Sequence, residues 1–188
     1  MDFLSREGSP ISEELWEQID NAVVASAKKI LTGRRFISIY GPLGAGVQSI
    51  NVDNITELDE LEGNISVIKG RTYKHIPLIN QDFSLLWRDI EYSEQMGLPV
   101  DMSSVMHAAT KCALKEDELI FLGNDELGYK GLVTEDGIIR LPLSDWNEGE
   151  NPFTDISTGL ARFVENGIVG RKALVVNPGL FVKLQRIQ

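Results

Sequence analysis

Pro10-Ile11-Ser12-Glu13-Glu14-Leu15-Trp16-Glu17-Gln18-Ile19-Asp20, running on to Thr32-Gly33-Arg34-Arg35-Phe36-Ile37-Ser38-Ile39-Tyr40-Gly41-Pro42, is the stretch that decides how this chain folds. Ser12 is a natural N-cap, because its hydroxyl can accept from a free amide one turn on. Glu13, Glu14 and Glu17 sit near the positive end of the helix dipole, and Lys28 and Lys29 near the negative end. Leu15, Ile19, Ala22, Val23, Ala27, Ile30 and Leu31 recur at helical spacing and form one apolar stripe. Gly33 is expected to close the helix as a left-handed C-cap. Residues 36–40 then alternate as a strand, with Ile37 and Ile39 on one face and Phe36, Ser38 and Tyr40 on the other.

Composition narrows the possibilities. With 188 residues the chain suits one domain or two small lobes, and 43% hydrophobic residues argue for a packed core rather than disorder. A net charge of −10 makes it a poor nucleic-acid binder, since phosphate contacts need clustered Lys and Arg. One cysteine, Cys112, cannot form an internal disulfide and fits a reducing, cytoplasmic setting. Asp2, Arg6 and Glu7 interrupt the start, so no secretion signal is expected, and no apolar run is long enough to span a bilayer. The glycosylation-like triplets at Asn54 and Asn64 are read as chance matches.

Further along, Leu43-Gly44-Ala45-Gly46-Val47 reads as a hinge, since it lacks the Gly-Lys-Ser/Thr ending of a phosphate loop. Two strand-like runs around the acidic Glu57–Gly63 turn read as a long hairpin ending near Tyr73. Leu78 to Asp89 alternates and reads as extended, and Gly97-Leu98-Pro99 breaks the chain. Asp101 or Ser103 can cap a helix to about Lys115, with Val105, Ala108, Ala109, Cys112 and Ala113 on a small-residue face. Leu119–Leu122 reads as a buried strand, and Gly137–Leu141 as another short strand. After a Trp146–Asn151 loop, Pro152–Val164 reads as a helix stopped by Asn166-Gly167, Ala173–Asn177 as a strand, and Pro178 as the start of a last helix.

The order of several blocks resembles the encapsulins, shell proteins of bacterial and archaeal nanocompartments. The blocks are Met1-Asp2-Phe3-Leu4 with Pro10-Ile11-Ser12 and Trp16–Asp20; Gly33-Arg34-Arg35-Phe36 with Gly41-Pro42; and Ile76-Pro77-Leu78-Ile79 leading to Leu86-Trp87. Val100–Ser104, Glu116–Gly123, Gly131-Leu132 and Gly167–Gly170 complete the series. The resemblance implies an α+β fold of the HK97 phage-capsid type, with a peripheral lobe, an extended loop and a partial axial lobe. On that pattern residues 1–43 hold the N-terminal helix and first peripheral strand, and 44–75 the extended hairpin loop. Residues 76–134 hold the peripheral lobe with its spine helix, and 135–188 the start of an axial lobe. Family chains continue beyond the position of Gln188, so a fragment, a truncated gene product and a naturally shortened shell protein are all open expectations. The implied function is self-assembly into an icosahedral shell around cargo enzymes. Expected partners are copies of the same chain and a cargo, such as a peroxidase or ferritin-like protein, held by its C-terminal peptide; neither nucleic acid nor membrane is expected. A phage-type major capsid protein and a flavin-binding protein of the same fold are the competing readings.

The resemblance also places residues. Ala27, Leu31, Arg34 and Ser38 match the positions that line the cargo-peptide groove. Trp87 matches a position where some relatives stack a flavin, the one cofactor the resemblance allows. Packing at a contact between lobes or subunits is the plainer reading of that indole. No enzymatic constellation stands out. Ser104 and His107 could share a helix face beside Asp101, but a helix interior offers no amides for an oxyanion hole. His75, His107 and Cys112 do not form a metal-ligand spacing.

Overall fold

A computed structural model of the chain describes residues 5–52, 58–61, 65–68 and 72–185. In order they carry α1 (Glu13–Ile30), a 3-10 turn (Gly33–Arg35), β1 (Ser49–Asn51), β2 (Leu58–Leu61), β3 (Ile65–Ile68) and β4 (Tyr73–His75). Then come α2 (Trp87–Met96), α3 (Ser103–Phe121), β5 (Gly123–Asn124), β6 (Tyr129–Lys130), α4 (Asn151–Glu165) and α5 (Pro178–Leu184). The class is α+β, with helices separated from short antiparallel pairs. The chain divides into two compact units, one ending at Leu132 and one beginning at Val133. The Met1–Leu4 block, the two ends of the acidic turn, the Asn54 triplet and Asn64 lie outside the described residues.

The first unit is built on α1 against α3. Ser12 caps α1 as its sequence position predicts, its Oγ accepting from the Leu15 amide at 3.2 Å. Leu15, Ile19 and Val105 form the buried centre, flanked by Ile11, Trp16, Val23, Leu85, Ile90 and Met102. Each fully buried aliphatic side chain contributes about 1.5–3 kcal/mol. At the N-terminal end, Arg6 pairs with Asp20 through two 2.8 Å hydrogen bonds and lies 4.3 Å over the Trp16 ring.

Helix α1 does not end on a left-handed Gly33. Its C-cap is Leu31, whose amide donates to the Ala27 carbonyl, and a carboxylate from α3 takes over the chain there. Asp117 accepts from the Thr32 amide at 2.7 Å and the Gly33 amide at 3.0 Å. Gly33 instead passes close to α3, where an added Cβ would lie 2.8 Å from Ile120 Cδ1 and that side chain would have to shift. The expected strand at 36–40 is also absent. The amides of Phe36 and Ile37 both turn back to the Gly33 carbonyl, which closes the turn and spends the donors a ladder would use.

The hairpin between Gly44 and Tyr73 takes shape as two antiparallel pairs. Ser49 opposes His75 and Asn51 opposes Tyr73; Leu58 opposes Ile68 and Leu61 opposes Ile65. Lys74 ties the base down, donating to the Gly128 carbonyl at 3.1 Å and lying over the Tyr129 ring.

Two helical differences follow. Residues 87–89 are helical, not extended, because α2 begins at Trp87; it ends on Gly97 at φ 65°, the break the sequence predicts. Helix α3 runs through Phe121, past the expected end at Lys115, so Leu119–Phe121 form its last turn and not a strand. A short apolar run cannot by itself distinguish a strand from a buried helical turn. Here Phe121 meets Phe36, with ring centroids 6.1 Å apart. Met102 is the N-cap residue of α3, while the Asp101 carboxylate accepts from the Ser103 amide and hydroxyl.

In the second unit, α4 and α5 appear where predicted, α5 capped by Asn177 accepting from the Leu180 amide at 2.8 Å. Residues 137–141 and 173–177 are not strands. No described strand pairs with either, and an unpaired strand has no ladder to hold it. Asp155 on α4 organises the unit, accepting from the Ser144 amide at 2.9 Å, the Ser144 hydroxyl at 2.8 Å and the Trp146 indole at 2.8 Å.

Candidate functional site

The amphipathic stripe of α1 is not fully covered. Between α1, α3 and the extended segment 79–83 lies a groove of about 330 Å³. Val23, Ala27 and Leu31 form one wall and Ile79 and Phe83 the other. The floor is α3, where Ala108, Ala109 and Ala113 are buried. Their small side chains leave the space that larger residues would fill. Cys112 also lines it.

Arg34 closes one end. Its guanidinium grips Glu116 on α3 with two parallel hydrogen bonds, Nε to Oε1 and Nη2 to Oε2 at 2.8 Å. Those bonds raise the Arg34 pKa further, outweighing partial desolvation, so the group is permanently cationic. Arg34 and Glu116 are the charged residues among those lining the groove.

Of the four positions expected to share a site, Ala27, Leu31 and Arg34 meet in this groove. Ser38 is exposed on the segment after the 3-10 turn and is not among the lining residues. Sequence reading assigned no role to Glu116 or to the 79–83 wall. Their only signal in the sequence is the small-residue face of α3.

The other singled-out residues stand apart. Trp87 is 69% exposed at the start of α2, with Arg88 lying 5.4 Å over its ring. The Ser104 hydroxyl donates to the Ser84 carbonyl at 2.9 Å, and Asp101 is engaged by Ser103. Asp101, Ser104 and His107 therefore do not form a relay. Among the described residues no group of His, Cys, Asp and Glu is arranged to hold a metal, and no helix is long and apolar enough to cross a membrane.

A family model described as an encapsulating protein for peroxidase matches residues 1–188. The type 1 encapsulin shell protein EncA of Myxococcus xanthus is 39% identical over 194 residues, covering 99% of this chain and 68% of that protein. A diheme-cytochrome-encapsulin shell fusion protein of Kuenenia stuttgartiensis is 39% identical over 184 residues, covering 94% of this chain and 51% of the fusion. The type 1 encapsulin shell protein of Brevibacterium linens is 24% identical over 185 residues, covering 98% of this chain and 68% of its own length. The chain thus spans about two thirds of the type 1 relatives and about half of the fusion. A family match over residues 1–188, together with a relative 39% identical across 99% of the chain, leads to one conclusion: this chain belongs to the encapsulin family, the structural shell proteins of cargo-holding nanocompartments.

Proposed function

We propose that the chain is a wall subunit of a closed icosahedral shell, and that the groove between α1 and α3 receives the apolar tail of a cargo enzyme. The family match over residues 1–188 carries the shell role. The meeting of Ala27, Leu31 and Arg34 in one groove supports the cargo role. An extended peptide can lay alternate side chains into an apolar trough while its backbone reaches the polar end. In the HK97-type arrangement the hairpin around β1–β4 is the extended loop and α3 the spine. The chain performs no reaction of its own in this reading. The cytochrome fusion relative is a shell protein joined covalently to a second part, which fits a wall that keeps company with enzymes. Exposed Trp87 is open to an aromatic ligand on the ring face away from Arg88; absorbance in the flavin bands of purified protein tests that separate role.

Two measurements test the main proposal. Electron microscopy of the purified protein is expected to show closed particles, and a uniformly monomeric population overturns the shell role. Ala27→Leu fills the groove, so its affinity for a short apolar peptide should fall about tenfold, the cost of losing one or two buried methyl contacts. An unchanged affinity removes the groove from cargo binding.

A further inference from the structure

Building on the reading of the groove as a peptide site, we infer that Glu116 sets the charge of the peptide it accepts. The argument starts from the forked ion pair. The Nε–Nη2 edge of the guanidinium is spent on Glu116, and Arg34 is the one cation among the described residues lining the groove. A carboxylate on an incoming peptide would meet a cation already neutralised and a glutamate that repels it. The end of the groove therefore carries one guanidinium already paired with one carboxylate. Half of the Arg34 side chain is exposed, against 26% for Glu116, so Glu116 is the more enclosed partner and the pair is open to a ligand on its outer side. Peptides that are neutral or basic where they pass this pair fit; acidic ones do not. Glu116 acts through Arg34 as a positioning residue, and the occupant is an apolar extended segment of a cargo protein with no acidic side chain at that point.

The test uses a scan of short synthetic peptides of Ala, Val, Leu and Gly, with Gln, Glu or Lys placed singly at successive positions. Each is titrated against the full wild-type chain and Glu116→Gln. On the wild type, at one position the Glu peptide should bind about fivefold more weakly than its Gln counterpart, the scale of a half-exposed ion pair. Glu116→Gln frees Arg34 and should reverse that order at the same position. The double variant Arg34→Gln with Glu116→Gln should show no charge preference there. A purely structural role for the pair changes all peptides together and leaves their order intact. If Gln, Glu and Lys peptides bind alike to both proteins, the inference falls while the peptide groove stands. If no peptide in the scan binds the wild type, the groove reading falls and takes the inference with it.

Discussion

Asp117 shows how one side chain replaces a cap that the sequence seemed to provide locally. Its two oxygens accept the amides of Thr32 and Gly33, free donors at the start of the 3-10 turn that follows α1. The side chain thereby fixes the backbone that leads into Arg34, and with it the end of the groove. Asp117→Ala strands both donors in a half-buried position. A loss of about 1–3 kcal/mol is expected, read as a lowered midpoint in urea unfolding. Asp117→Asn keeps one carbonyl acceptor and should recover part of the loss. Equal midpoints for the alanine variant and wild type would show that water serves these amides as well. The same residue explains a misread cap. Gly33 after an apolar helix is the usual C-cap signal, yet it serves here as the point where α1's exit passes Ile120. Nothing local distinguishes the two uses, because the partners lie more than eighty residues away in sequence.

At the scale of elements, legibility follows how local the determinants are. Helices α1, α4 and α5 were readable because Ser12, Asn166-Gly167 and Asn177-Pro178 mark their ends within a few residues. Helix α2 was missed, since Leu86 precedes it with no side-chain cap and the alternation of the extended segment runs into Trp87. The strands expected at 36–40, 137–141 and 173–177 failed for one reason: alternation shows what a strand would bury, but pairing depends on another segment. The groove was readable only through Ala27, Leu31 and Arg34, while Glu116 needed the tertiary pairing of α1 with α3. Asp155 raises a pH question for the second unit. The Ser144 amide, then the Trp146 indole and the Ser144 hydroxyl, hold its carboxyl below the ordinary value. A depressed folded value means a stabilisation fully present above the unfolded value of about 3.9 and lost as pH falls through the lower folded value. The Trp146 indole N–H resonance should therefore hold its bonded shift to below pH 4 and move only under stronger acid. In Asp155→Asn that acid-dependent step should vanish; its persistence would assign the step to another group.

For the whole molecule, the decisive property is how much apolar surface the single chain leaves in water. Tyr40 is 86% exposed, Leu78 88% and Val169 86%, on a chain of net charge −10. Scattered exposed apolar residues are ordinary on a monomer, but a wall subunit must cover surface on several sides with copies of itself. Charge opposes that gathering, so assembly should strengthen from low to moderate salt as repulsion is screened. Leu78 separates subunit stability from assembly cleanly. It lies on the extended segment before α2 and touches almost nothing in its own chain. Leu78→Ser should therefore change the subunit's unfolding midpoint by no more than about 0.5 kcal/mol equivalent. If a neighbouring copy covers Leu78, each contact loses about 1–2 kcal/mol, and repetition around a closed shell multiplies a loss that would be small in a dimer. The expected result is an unaltered melt with a marked shift from particles to small species in sedimentation velocity. Full particle yield from Leu78→Ser would place this side chain on a face that stays in water, and the contacts that close the wall would then lie elsewhere on the subunit.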